Sequence, residues 1–123
     1  MKKLITLLLC AFVLFGCGPK KPAGLEDELY EIAKELLQIT DDYFNNTATI
    51  NETELKMQIL LESNVYYFTE ILENESLDKI NTSVIIIAHS IPAALFDNEE
   101  GEEDSLLKRR NQLAELINEK KDK

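Results

Sequence analysis

An all-α fold is predicted by three features of the chain. Apolar residues recur at three- and four-residue steps in four separate stretches between Leu25 and Ile117, the spacing of one buried helix face. Short polar breaks part these stretches: Asn45-Asn46-Thr47, Asn74-Glu75-Ser76 and the acidic run from Asp97 to Asp104. The β-branched run Val84-Ile85-Ile86-Ile87 would suit a buried strand, but no second strand exists to pair with it. Four helices joined by short loops predict a small antiparallel up-down bundle.

The first helix is read over 25–44. Leu25, Leu29, Ile32, Ala33, Leu36, Thr40, Tyr43 and Phe44 fall on one side, and Glu26, Asp27 and Glu28 occupy the first turn, where carboxylates suit the helix dipole. The second is expected to start with Asn51 as N-cap and Glu54 completing a capping-box-like pair. Its stripe is Met57, Leu60, Leu61, Val65, Phe68, Ile71 and Leu72, widened by Leu55, Ile59 and Tyr66. Val65-Tyr66-Tyr67-Phe68 ring a whole turn, so they cannot all face one core. Either two neighbouring helices clasp this turn, or Tyr66 or Tyr67 stands in solvent as an anchor for a partner.

Ser76 is expected to cap a third helix, whose stripe is Leu77, Ile80, Val84, Ile87, Ile91 and Ala94. Val84 to Ala88 fills the other faces as well, and a helix apolar all round belongs in the middle of a protein. Pro92 is expected to kink or end this helix near Ser90, with a short helical piece following through Phe96. Asp97 to Asp104 then places six carboxylates in eight residues. Calcium favours such oxygen-rich segments, but the spacing lacks the glycine at position 6 and glutamate at position 12 of an EF-hand loop. A solvated turn is the simpler reading, with Glu99, Glu100, Glu102 and Glu103 as a landing site for a basic partner. The last helix runs over 103–120 with Leu106, Leu107, Arg110, Leu113, Ala114 and Ile117 as its stripe. Acids stand at its start and lysines at its end, both favourable to its dipole.

Ahead of the bundle, Lys2 and Lys3 precede a nearly unbroken apolar run from Leu4 to Phe15, followed by Gly16 and Cys17. A charged head, a short apolar run and a small-residue cut site read as an export signal. The run is too short to span a bilayer, which takes about 20 apolar residues. Leu14-Phe15-Gly16-Cys17 resembles the lipobox of bacterial lipoproteins. The resemblance covers residues 1–17 only. It implies that the Cys17 thiol takes a diacylglyceryl group and that cleavage before it leaves Cys17 as the lipidated first residue. The organisation expected is then a signal peptide over 1–16, removed; a lipidated cysteine and flexible tether over 17–24; and a helical domain over 25–123. An ordinary signal cut after Gly16 or Gly18 would instead release a secreted domain. Gly18-Pro19-Lys20-Lys21-Pro22-Ala23-Gly24 has the proline and glycine content of a linker. Gly18, where the sorting rule of lipoproteins in double-membraned bacteria places Asp for inner-membrane retention, implies the outer membrane of the cell envelope.

Charge and chemistry narrow the function. The chain carries 13 Lys and Arg against 23 Asp and Glu, for a net charge of -10. From Pro22 to Leu107 only Lys34, Lys56 and Lys79 oppose the acids, and the basic residues gather at the two ends. Nucleic-acid binders need clustered positive charge, so nucleic acid is not an expected partner; a basic protein is, because complementary fields steer encounter. Cys10 and Cys17 are the two cysteines, so loss of the signal leaves no intramolecular disulfide and the core must do the stabilising. His89 is the one histidine, and beside Ser90 on a helix it does not face that hydroxyl. One histidine and no free cysteine make no zinc set, Asp41-Asp42 reads as surface, and no glycine-rich phosphate loop is present. The expectation is a non-catalytic binding module without cofactor or metal. By size, anchor and charge it compares with immunity lipoproteins, pilotins and exclusion lipoproteins. The alternative is a structural lipoprotein, or one that holds an apolar molecule near Tyr66, Phe68, His89 and Phe96.

Overall fold

The computed structural model describes residues 21–99 and 103–119. Among them are five helices and no strand: α1 Asp27–Phe44, α2 Ile50–Ser63, α3 Val65–Glu73, α4 Lys79–Glu99 and α5 Glu103–Leu116. The all-α bundle is thus observed, with one helix more than the sequence predicts, because the stretch read as a single second helix is broken at Asn64. Ser63 Oγ donates to the Ile59 carbonyl at 2.6 Å and Asn64 Nδ2 to the Leu60 carbonyl at 2.8 Å. Side chains that compete for helical carbonyls in this way end a helix. The break is shallow, since Asn64 (φ -113, ψ 11) caps both helices.

Three other boundaries differ from expectation. The N-cap of α2 is Thr49, not Asn51. Its hydroxyl accepts the Glu52 N–H at 3.1 Å while the Glu52 carboxylate accepts the Thr49 N–H at 2.8 Å, the reciprocal box one half-turn earlier than the Asn51/Glu54 pair. Ser76 does not cap α4, which starts at Lys79. Instead the Ser76 N–H and hydroxyl both donate to Asn74 Oδ1, an Asx turn. Pro92 lies inside α4, which continues to Glu99. Proline removes one helical hydrogen bond, and here packing on both sides of that position, through Ile91, Ala94 and Leu95, holds the helix together. Val84 to Ala88 is helical.

Helix ends otherwise follow local chemistry. At the end of α1, Asn46 adopts φ 61 and the Thr47 N–H bonds the Asp42 carbonyl at 2.9 Å. After α5, Asn118 adopts φ 60 and the Glu119 N–H bonds the Ala114 carbonyl at 2.8 Å. Asparagine tolerates this left-handed position better than most residues with a side chain.

α4 is the one helix in contact with all four others. It is long and apolar enough by composition to cross a membrane, and in this fold Val84, Ile85, Ala88, Ile91, Ala94 and Leu95 are buried in the bundle core. They meet Leu29, Leu36, Met57, Phe68, Leu106 and Leu113 of the other helices. Two buried polar groups cross this core. Asn81, fully buried, accepts the Glu26 N–H at 2.8 Å on Oδ1 and donates Nδ2 to the Gly24 and Asp78 carbonyls at 3.0 Å each. It caps the start of α1, where no side chain of the adjacent sequence does so. Arg110, 5% exposed, forms a two-pronged pair with Asp41, Nε to Oδ1 at 2.9 Å and Nη2 to Oδ2 at 3.0 Å. Asp41 is therefore a structural partner of α5 rather than plain surface.

Pro22 to Gly24, read from sequence as part of the tether, turns back on the bundle. The Leu25 N–H bonds the Pro22 carbonyl at 3.3 Å, Leu25 is buried, and Lys21 pairs with Asp27 at 3.0 Å. Gly24 needs its lack of Cβ: its φ is +87, and a Cβ would meet Asp78 Oδ2 at 1.9 Å.

Replacing Asn81 with Ala strips the Glu26 N–H and the Gly24 carbonyl of their partners. A destabilisation of about 3 kcal/mol is expected, read as a lower urea midpoint with unchanged slope. Asp41→Ala, which takes the carboxylate away from the buried Arg110 guanidinium, should likewise lose about 3 kcal/mol, whereas Asp41→Leu combined with Arg110→Met should recover most of it. A double variant as unstable as the single one would show that the pair is not what the single change removes.

Candidate functional site

The bundle has two distinct ends. At one, α1 begins, α4 begins and α5 finishes, joined by Asn81 and by the Tyr30 hydroxyl donating to Glu119 at 3.1 Å. The chain enters here through Lys21. At the other, α1 finishes, α2 begins and α4 finishes, joined by Asn98 Nδ2 donating to the Tyr43 hydroxyl at 3.0 Å. The 18 residues of α1 separate the two ends by about 27 Å. The end of α4 and the start of α5, which flank the acidic run in sequence, therefore lie away from the chain's entry.

Of the residues singled out for partner binding, Glu99 closes α4 and Glu103 opens α5, while Glu100, Glu102 and the lipid-attachment residue Cys17 lie outside the described residues. Beside the acidic turn, Tyr43, Phe44, Ala48, Thr49, Ile50, Asn98 and Leu107 line an open cleft of about 570 Å³. Tyr66 and Tyr67 are not brought to that end, because α2 descends from it and the Tyr67 side chain reaches the first turn of α1.

The four-residue aromatic run divides as a helix requires. Phe68 is buried and Tyr67 half-buried, while Val65 is 46% and Tyr66 87% exposed. One buried line through α2 and α3, with buried Leu61 beside it, is Thr53, Met57, Leu60, Phe68 and Ile71, with half-buried Asn64 between. Their steps of three and four persist through the break, so the two helices keep one phase. Two residues after each of these comes an outward position: Leu55, Ile59, Glu62, Tyr66, Glu70 and Glu73, all exposed. Leu55 and Ile59, each 56% exposed, thus belong to the opposite face from the core stripe in which the sequence placed them. Lys56, the one basic residue of α2 and α3, lies to the α1 side in a second cleft with Glu35, Gln38 and Ile39. The site that exposure and phase pick out is therefore an outward stripe of three large apolar residues and three carboxylates. Leu55 and Ile59 were the residues sequence reasoning missed, and the signal was that an amphipathic helix buries only one side.

Catalytic geometry is sparse. His89 Nδ1 donates to the Ile85 carbonyl at 3.0 Å and its ring meets Phe68 edge-on at 4.8 Å, while Ser90 Oγ donates to the Ile87 carbonyl. The two neighbours are thus engaged separately. Among the described residues no three His, Cys, Asp or Glu side chains gather as metal ligands. Tyr66, 87% exposed, and Phe96, 54% exposed, do not join Phe68 and His89 around a common interior space. Compared with known proteins, the chain matches no family model, no curated protein and no solved structure.

Tyr67 points inward from the same turn. Its hydroxyl is buried without a hydrogen-bond partner. Burial pushes its pKa up to about 12, with the nearby Glu26 and Glu28 carboxylates adding to the effect and the Leu29 backbone opposing it. The unfolded phenol ionises near 10. Between about pH 10 and 12 the unfolded chain releases a proton that the folded chain keeps, so folding stability falls as pH rises through that window. Tyr67→Phe should match or exceed wild-type stability at neutral pH, by up to about 1 kcal/mol. It should also lose less stability than wild type between pH 10 and 12 in urea titrations at each pH. A steep loss of stability in the variant at neutral pH would mean that the hydroxyl has a partner.

Proposed function

We propose that this chain is an envelope lipoprotein, anchored to a membrane through lipid on Cys17, and that its bundle is a non-catalytic module holding one protein partner. An immunity, pilotin-like or exclusion-type role fits this reading. The observation that carries it is the outward stripe. Tyr66 stands 87% exposed, more than any other large apolar residue described, in line with Leu55 and Ile59; Val65, Leu72, Ile86 and Phe96, 46% to 60% exposed, lie off the stripe. Tyrosine is among the residues that most often anchor protein interfaces, because it brings a rigid apolar ring with a polar tip. The sequence supports the anchor through the lipobox resemblance over residues 14–17 and the short segment between Cys17 and Lys21. Four residues reach about 14 Å at most, which would keep the Lys21 end of the bundle beside the membrane and turn the acidic end away from it. The acidic turn of Glu99, Glu100, Glu102 and Glu103 would then face a basic partner across the envelope space, adding steering rather than affinity.

Two measurements test the two halves separately. Metabolic labelling with radioactive palmitate should mark the wild type and fail to mark Cys17→Ala; equal labelling would remove the anchor from the reading. A photo-reactive amino acid placed in turn at exposed positions 31, 55, 59, 66 and 97 should give one discrete protein adduct in intact envelopes, from some positions and not others. Absence of a discrete adduct from every position would sink the binding module.

A further inference from the structure

The outward stripe of α2 and α3 also states what kind of surface it fits. Its order along the chain is Leu55, Ile59, Glu62, Tyr66, Glu70, Glu73, apolar residues interleaved with carboxylates. From Leu55 to Glu73 it runs about 27 Å, the length of a five-turn helix. Glu62 accepts only a long, exposed hydrogen bond from Gln58 at 3.2 Å, and Glu52 lies beside the stripe near its upper end. No basic residue stands on the stripe. Lys56, the nearest, lines the cleft on the α1 side, whose rim Ile59 of the stripe shares.

We infer that this stripe docks an amphipathic helix whose apolar face is flanked by Lys or Arg. The inference rests on the binding-module reading above and adds the site and the partner's chemistry. A helix laid on a helix makes apolar contact at the i, i+3, i+4 and i+7 positions. Here those contacts fall on Leu55, Ile59 and Tyr66, and the flanking cations of the partner fall on Glu62, Glu70 and Glu73. The carboxylates decide between classes of partner. A phospholipid surface would bury the apolar residues equally well, but it would bring three carboxylates against headgroup phosphates, and anionic leaflets favour basic segments rather than acidic ones. A second copy brings three more carboxylates and no cation on its stripe, so Glu62, Glu70 and Glu73 would meet no opposite charge there. A cationic helix satisfies both halves of the stripe at once.

The test uses the full chain, lipidated and held in phosphatidylcholine nanodiscs, with a photo-reactive residue at position 59, 66, 86 or 97. Two synthetic amphipathic helices of the same leucine face are added, one flanked by lysines and the other by glutamates. Adduct to the lysine-flanked peptide should form at 59 and 66 about tenfold more than at 86 or 97 and weaken as salt is raised. It should also fall about tenfold with Glu62→Gln, Glu70→Gln and Glu73→Gln together, substitutions at exposed positions that leave the fold intact. Equal adduct from the glutamate-flanked peptide overturns the charge assignment. Adduct centred on position 97 overturns the site. Crosslinking of position 66 to lipid in preference to either peptide overturns the partner class. A failure here with a discrete envelope adduct still formed at another position refutes only this inference; loss of all envelope adducts refutes the binding module itself.

Discussion

The side-chain amide of Asn81 ties together parts of the chain that nothing else local would join. It satisfies the first free N–H of α1 from the first turn of α4, 55 residues away, and with its other end holds the Gly24 turn that brings the chain into the bundle. Burial of Leu, Ile and Ala drives these helices together but has no direction, so it leaves their axial register open. A fully buried amide with three partners at fixed positions does not. Arg110 and Asp41 do the same from the other side of α1, joining it to α5 through a pair of parallel hydrogen bonds. α4 occupies the centre because it must bury the most surface, and these two polar clamps fix α1 and α5 around it.

Helix positions were legible in the sequence wherever one buried face repeats every three or four residues. The cores of α1, α4 and α5 follow the stripes read from Leu29, Val84 and Leu106 onward. Illegible were effects that depend on competition between neighbours. Asn51 and Thr49 are both good caps with a glutamate three residues on, and periodicity cannot choose between them. Ser63 and Asn64 break the second stripe without disturbing its phase, which leaves no trace in the apolar pattern. Pro92 carries a breaking signal that tertiary packing overrides. Asn81 gave no signal of its role, since an isolated asparagine in a stripe does not announce the backbone groups it will meet 55 residues away.

The candidate site shows the same division. That Tyr66 and Tyr67 could not share one environment followed from helical geometry alone. Which of them faces outward required the position of α1, because Tyr67 lies against that helix's first turn. Leu55 and Ile59 misled for a related reason. With apolar residues at 55, 57, 59, 60 and 61, more than one face of α2 looks eligible for the core, and the fold buries the one that carries Met57, Leu60 and Leu61. Buried Thr53 donates to the Thr49 carbonyl and half-buried Asn64 to the Leu60 carbonyl, so the inward face carries two polar residues while the outward face keeps two aliphatic ones.

An arrangement that buries threonine and exposes leucine sets apolar surface beside charge on the same face. Contiguous exposed apolar surface invites self-association, most simply through a two-fold pairing of the same patch. Pairing α2 and α3 with a second copy about such an axis would add three more carboxylates, Glu62, Glu70 and Glu73, with no lysine or arginine on either stripe to offset them. A net charge of -10 adds repulsion over the whole surface. On the proposed reading the carboxylates do two things with one placement: they offer a second copy no opposite charge, and they leave the apolar stripe open to a cationic surface. Neutral residues at 62, 70 and 73 would remove that discrimination while leaving every buried contact of the bundle in place.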